Sequence, residues 1–209
     1  MTFADDLPQA NVVDLVFPLA GRSVPRDYTP ALHAALQGEL PWLAQEACAG
    51  IHPLKLVHGS TAGPLGLLSP RTRLLLRLPR ARVADAGALA GRTVSVGGHP
   101  VELGTPHERE LLPHATLYAY AVAAASEDEV AFMRTMEGEL QALGVRTHTV
   151  CGKRADRPLE GRTLTTFSLM LHALSAADSL RVQEAGLGPH RLLGCGVFVP
   201  HKSAAAVGE

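Results

Sequence analysis

The stretch Arg71-Thr72-Arg73-Leu74-Leu75-Leu76-Arg77-Leu78-Pro79, then residues 83–89, then Thr93-Val94-Ser95-Val96-Gly97-Gly98-His99-Pro100-Val101-Glu102-Leu103 decides the architecture of this 209-residue chain. The first part reads as a strand ended by proline, the second as a short helix leading to Gly91, and the third as a hairpin turned at the glycine pair. Arg71, Arg73 and Arg77 share one register of that strand and are expected on one face of a sheet. Working outward, Val12-Val13-Asp14-Leu15-Val16-Phe17-Pro18-Leu19 is another short β-rich run. Thr29 before Pro30 predicts a helix start, a hydroxyl N-cap followed by proline where its missing N–H costs nothing. Leu32, Ala35, Leu36 and Leu40 line one face of that helix, which stops before Pro41, with His33 at the edge of the stripe. Extended segments at 54–58 and 65–68 complete the order βαββαβ, the split βαβ arrangement of ferredoxin-like folds.

The second half follows the same order. Residues 115–125 read as a strand, and Ser126 with Glu129 forms a capping box for a helix striped by Val130, Met133, Leu140 and Leu143 and ended by Gly144. A strand over 145–151, a polar loop at Lys153-Arg154 and a strand over 164–174 come next. Ser175 and Asp178 then cap a helix running to Ala185, and residues 196–200 make the last strand. The expectation is an α+β protein of two tandem ferredoxin-like (RRM-like) βαββαβ halves, 1–105 and 106–209, with a C-terminal glycine-rich loop. No residue-level repeat links the halves.

Apolar residues make up 46% of the chain, enough to bury a substantial core. The formal net charge of -1 excludes nucleic-acid binding through overall charge, so any such binding needs a local basic patch. One exists: six arginines between 71 and 92 face the single Asp85. Cys48, Cys151 and Cys195 are odd in number and far apart, which fits neither a disulfide framework nor a zinc site, and no HxH or HxxxH spacing suggests another metal. A reducing, cytoplasmic setting is expected, with no signal peptide, no membrane span and no cofactor.

Between the last helix and last strand lies Gly186-Leu187-Gly188-Pro189-His190-Arg191-Leu192-Leu193-Gly194-Cys195-Gly196-Val197-Phe198. Glycines allow close approach to the backbone, and His190 and Arg191 offer donors to an anionic partner; a plain turn is the other reading. With the preceding Leu180-Arg181-Val182-Gln183-Glu184-Ala185 and the following Val199-Pro200-His201-Lys202, this stretch resembles the C-terminal signature of the sixth CRISPR-associated protein family, of the RAMP superfamily, and is most similar to its MYXAN branch. Weaker matches are Val13 through Leu19, Gly50-Ile51-His52-Pro53-Leu54, Leu112-Pro113-His114-Ala115-Thr116-Leu117-Tyr118 and Val150-Cys151-Gly152-Lys153-Arg154.

The resemblance implies a metal-independent endoribonuclease that binds CRISPR repeat RNA and cuts precursor crRNA by 2′-hydroxyl attack, leaving a 2′,3′-cyclic phosphate. Such chemistry needs a base, an acid and cations at the phosphate. Many members of the branch carry a histidine after the aspartate at the start of the first helix; here Asp27 is followed by Tyr28. His33 and His52 are the candidate bases, with His114 behind them, and Tyr28 a candidate for proton transfer or substrate orientation. Each has a structural alternative: edge of core for His33, turn-shaping for His52. Expected RNA contacts are Arg71, Arg73 and Arg77, the loop Lys153, Arg154 and Arg157, the glycine loop through Gly188, His190, Arg191 and Gly194, and Lys202 beside His201. With aromatics at 4%, shape and phosphate contacts are expected to outweigh base stacking. The alternatives are a non-catalytic crRNA-binding subunit of a CRISPR effector complex, held with other Cas proteins, and, more distantly, a small-molecule phosphate-binding enzyme.

Overall fold

The computed structural model describes residues 10–57, 63–159 and 161–201. Its first sheet is built on β1 (Val12–Ala20), whose Leu15, Phe17 and Leu19 point to one face, as the period of two requires. After the short β2 (Ser23–Pro25), α1 (Thr29–Glu39) covers that face with Leu32 and Leu36. The chain returns through β3 (Gly50–Ile51), β4 (Leu65–Leu67) and β5 (Arg73–Pro79), whose Leu74, Leu76 and Leu78 join the same core. Then come α2 (Val83–Gly87), the hairpin β6 (Thr93–Val96) and β7 (His99–Leu103), and β8 (His107–Glu110). The sheet order is β3-β5-β1-β7-β6, with β8 also paired to β1 and all ladders antiparallel. β4 pairs instead with β2 in a small separate ladder.

The second sheet runs β10-β11-β9-β12, formed by β9 (Thr116–Ala123), β10 (His148–Leu159), β11 (Arg162–His172) and β12 (Val199–Pro200). With α3 (Glu129–Ala142) after β9 and α4 (Ala176–Ala185) after β11, this is the βαββαβ order with the last strand beside the first. Phe132, Met136 and Leu140 of α3 and Val182 of α4 pack on Leu117, Ala119, Phe167, Leu169 and Leu171. Phe132 and Phe167 stack with ring centroids 4.8 Å apart.

Several local expectations shift. Thr29 does not cap α1; Tyr28 holds the N-cap position and its side chain makes no capping hydrogen bond to the helix. Asp128, not Ser126, caps α3, its carboxylate accepting from the amides of Val130 and Ala131. Lys153-Arg154 lies inside β10 rather than in a loop, because that long strand carries exposed polar residues and absorbs the mismatch in an irregularity between Cys151 and Arg154. The first sheet also draws residues from both sides of position 105: Gly104 follows β7, and β8 continues pairing along β1 as far as Val13–Glu110. His58 and Lys202 lie outside the described residues.

Candidate active site between the two halves

The face of the first sheet opposite its core is where the halves join. Three neighbouring strands place Arg77, Asp14 and Arg109 directly opposite one another. Asp14 accepts from Arg77 Nε at 2.8 Å and Nη2 at 3.1 Å, from Arg109 Nη2 at 2.7 Å, and lies 3.0 Å from His52 Nε2. Burial alone would raise the Asp14 carboxyl, but the hydrogen bond from His52 and the charge of Arg77 hold it well below the usual carboxylate range. Burial, and next the adjacent Arg77, push the His52 imidazole below its ordinary value. Arg77 Nη1 then reaches across, donating to the carbonyls of Gln183 in α4 (3.0 Å) and Phe198 before β12 (2.8 Å).

His52 and Arg77 therefore do not serve as expected. At 5% and 1% exposure, His52 is tied to Asp14 within the first sheet, while Arg77 donates to Asp14 and across to Gln183 and Phe198. Ala10, Val12 and Leu111 pack against Leu180 of α4 alongside them.

The glycine loop belongs to the same closed region. Its amides are taken within the protein: Gly186 by Val182, Leu187 by Gly196, Gly188 by the Glu139 carboxylate at 2.7 Å, Gly194 by Arg191, Cys195 by His190 and Gly196 by Ala121. Gly196 sits at φ +65°, and an added Cβ there would lie 1.9 Å from the Leu187 carbonyl, so glycine is required for packing. Arg191 is 8% exposed and donates from Nη1 to the carbonyls of Glu184 and Ala185, clamping the C-terminus of α4, where a cation is favoured. Burial, with Arg77 nearby, pushes it down to about 10. The amides of Gly188 and Gly194 and the Nη1 of Arg191, expected at RNA, are thus engaged within the protein, while Arg191 Nε and Nη2 are buried without a hydrogen-bond partner among the described residues. His190 stays half-buried, with a left-handed backbone at φ 68°.

A cleft of about 400 Å³ lies open between the start of α1 and the β10–β11 hairpin. The first half lines it with Arg26, Tyr28 and Thr29 at the start of α1 and with Pro53; the second supplies Arg157 and Leu164 from the β10–β11 hairpin and Leu193 from the glycine loop. No side chain caps α1 and its first turn holds no acid, so its N-terminal partial positive charge faces the cleft beside Arg26 and Arg157. Asp27 also lines the cleft and offsets part of that charge. Arg26 is steadied by donating from Nε to the Gly63 carbonyl at 2.7 Å, while no described residue pairs with the Arg157 guanidinium. Tyr28 is buried, and its hydroxyl accepts from the Leu54 amide at 2.6 Å, which leaves the phenolic proton to be donated. Burial raises the phenol above its ordinary value, partly offset by the Leu54 hydrogen bond and the Arg157 charge. His33 is half-buried on α1, one helical turn beyond the cleft-lining Thr29 and Pro30; it does not itself line the cleft, and its Nε2 is buried.

The remaining expected residues lie apart from this cleft. Arg73 folds back onto the carbonyls of Pro70 and Thr72, and Arg71 is exposed on the same turn, so the supposed row of three arginines is broken by the burial of Arg77. Arg154 is held by Glu127 and Asp156, beside exposed Lys153. His114 is exposed on the connection along α4, its amide bonded to Ser179. Two residues were missed. Arg26 was signalled only by its place before the helix start, and Asp14 by being an acid within an apolar run.

The Cas6 CRISPR family model matches residues 13–203. A CRISPR-associated endonuclease Cas6 of Myxococcus xanthus (strain DK1622) is 37% identical over 196 residues, covering 93% of this chain and 84% of that protein. Among solved structures, a CRISPR-associated protein Cas6 aligns over 91% of this chain and 100% of its own with a TM-score of 0.66 at 10% identity. A RAMP protein binding different RNA substrates covers 89% and 98% with a TM-score of 0.61 at 12% identity. The structural likenesses concern the fold; the match along almost the whole sequence settles the family, and the chain belongs to the Cas6 CRISPR family.

Proposed function

We propose that the chain is a CRISPR repeat-specific endoribonuclease that processes precursor crRNA in the cleft at the start of α1. The carrying observation is that this cleft gathers an uncapped helix N-terminus, two arginines and a buried, protonated tyrosine in a chain 37% identical to a Cas6 endonuclease. In the reaction the 2′-oxygen of the RNA bonds to the adjacent phosphorus while the bond to the 5′-oxygen breaks, leaving a 2′,3′-cyclic phosphate and a 5′-hydroxyl. His33 takes the 2′-hydroxyl proton, as histidine titrates near neutrality. The Tyr28 phenol, held protonated by its burial, donates toward the leaving oxygen or orients the phosphate. Arg157, Arg26 and the α1 terminus stabilise the charge that gathers on the phosphoryl oxygens.

This reading assigns the proton and charge work to side chains, so cleavage persists in EDTA. The protein then works in the cytoplasm on repeat RNA, alongside any other Cas proteins of an effector complex. No helix among the described residues is long and apolar enough to cross a membrane. A non-cutting crRNA-binding subunit is the second reading, favoured by one feature: position 28, after Asp27, holds a tyrosine rather than a histidine. Incubation with the cognate repeat RNA in EDTA, with mapping of product ends, separates the two. Cyclic-phosphate and 5′-hydroxyl ends support the enzyme; RNA bound and left intact supports the subunit.

A further inference from the structure

The helices of the second half cover only one face of its sheet. On the other face, cross-strand partners share a side: Tyr118 stands opposite Met170, and Met170 opposite Val150; His172 stands opposite His148. Their neighbours Leu117 and Leu171 point into the core, which fixes these residues on the outer side. Tyr120, two residues beyond Tyr118, is 56% exposed and Val150 44% exposed. The rings are already arranged against one another: Tyr118 and Tyr120 edge to face at 5.0 Å, His148 and His172 stacked at 5.1 Å. None of these six side chains is an acid.

We infer that this open sheet face is a stacking platform for unpaired RNA bases, separate from the cleft. Three features favour RNA bases over a protein partner. The surface is a four-stranded sheet, not a groove. Its tyrosines stand on β9 and His172 on β11, the two central strands, where RRM-type sheets carry the aromatics that stack bases, with His148 beside them on the edge strand β10. No carboxylate among them repels a phosphate backbone. The platform also shares a strand with the cleft: Val150 and Arg157 are both on β10, seven residues or roughly 20 Å apart at the ordinary rise of a strand. RNA held on the face is therefore the single-stranded part of the molecule whose scissile phosphate lies in the cleft. The inference rests on the endoribonuclease reading for the identity of that RNA.

The test is equilibrium binding of the full chain to single-stranded repeat RNA and to the same RNA paired with its complement, across a range of salt. Tyr120→Ala combined with His148→Ala is expected to weaken single-strand binding roughly tenfold or more, since each stacked base contributes appreciably. The salt slope should stay as in the wild type because no phosphate contact is lost. Tyr120→Phe should bind like the wild type, and the duplex should not discriminate the variants. Equal single-strand affinity for the double variant overturns the platform, as does a loss that is the same for duplex and single strand. A shallower salt slope also overturns it, in favour of a phosphate contact. Wild-type protein that binds neither RNA overturns the parent reading instead, and is recognised by its failure before any variant is compared.

Discussion

Two regions between the halves use the same residue types to opposite ends. At the junction, Arg77, Arg109 and His52 are tied to Asp14 or to carbonyls, Arg191 is tied to carbonyls through Nη1 while its Nε and Nη2 stay buried without a hydrogen-bond partner among the described residues, and the glycine amides are taken. In the cleft, the Arg157 guanidinium has no described partner and the α1 terminus has no cap. The lesson is that a basic residue becomes a ligand-binding group by being left unsatisfied at a solvent-reached position, not by being basic. The junction fixes how the cleft walls face each other, and the cleft keeps its donors for something that arrives from outside.

Substituting one residue on each side breaks or sharpens this contrast. The largest effect should come from Arg77→Ala, which removes two hydrogen bonds from the buried Asp14 carboxylate, leaving it only Arg109 and His52, and cuts the link to Gln183 and Phe198. A loss of about 3–5 kcal/mol in urea unfolding is expected. A change under about 1 kcal/mol would show that the junction is not what holds the halves. In the cleft, Arg26→Ala with Arg157→Ala should leave the unfolding midpoint nearly unchanged while lowering cleavage or RNA affinity by roughly tenfold to a hundredfold, as expected for charged hydrogen bonds. If stability falls instead, the two arginines belong with the junction.

A smaller effect is a pH dependence of stability that belongs to the junction alone. The His52 imidazole is held below its ordinary value, so the unfolded chain takes up its proton first as pH falls through about 6.5. Its contribution is present above that pH and is lost below it, at up to about 1.4 kcal/mol per pH unit. Asp14, also lowered, adds a loss of the same sign only below about pH 4. Urea midpoints between pH 7.5 and 5.5 should fall less steeply in His52→Gln than in the wild type; parallel profiles would contradict a buried neutral imidazole.

Most of the fold was legible because its signals are local. Ser175 does cap α4, the Gly97-Gly98 turn does join β6 to β7, and the alternation in β1 and β5 does set the core. β8 was not legible: His107-Glu108-Arg109-Glu110 is polar throughout, and it pairs because β1 offers a free edge and Asp14 receives Arg109. The site was read less well. Arg71 and Arg77 look alike in sequence and share a register, yet one is exposed and the other is roofed by α4, a difference set by how the halves dock. The glycine pattern drew attention to a segment whose glycines serve close packing, as Gly196 shows. Tyr28 was within reach of sequence because it follows from the start of α1; Arg157 joins it along the cleft only through the β10–β11 hairpin.

The central claim is that RNA is cut in the cleft by groups on α1. Single-turnover cleavage of the cognate repeat RNA in EDTA, with protein in excess, tests it by comparing His33→Ala with the wild type while binding is measured in parallel. The expected result is a rate at least about a hundredfold lower, within the range for loss of a general base, with affinity nearly unchanged. A His33→Ala protein that cuts at the wild-type rate would contradict it.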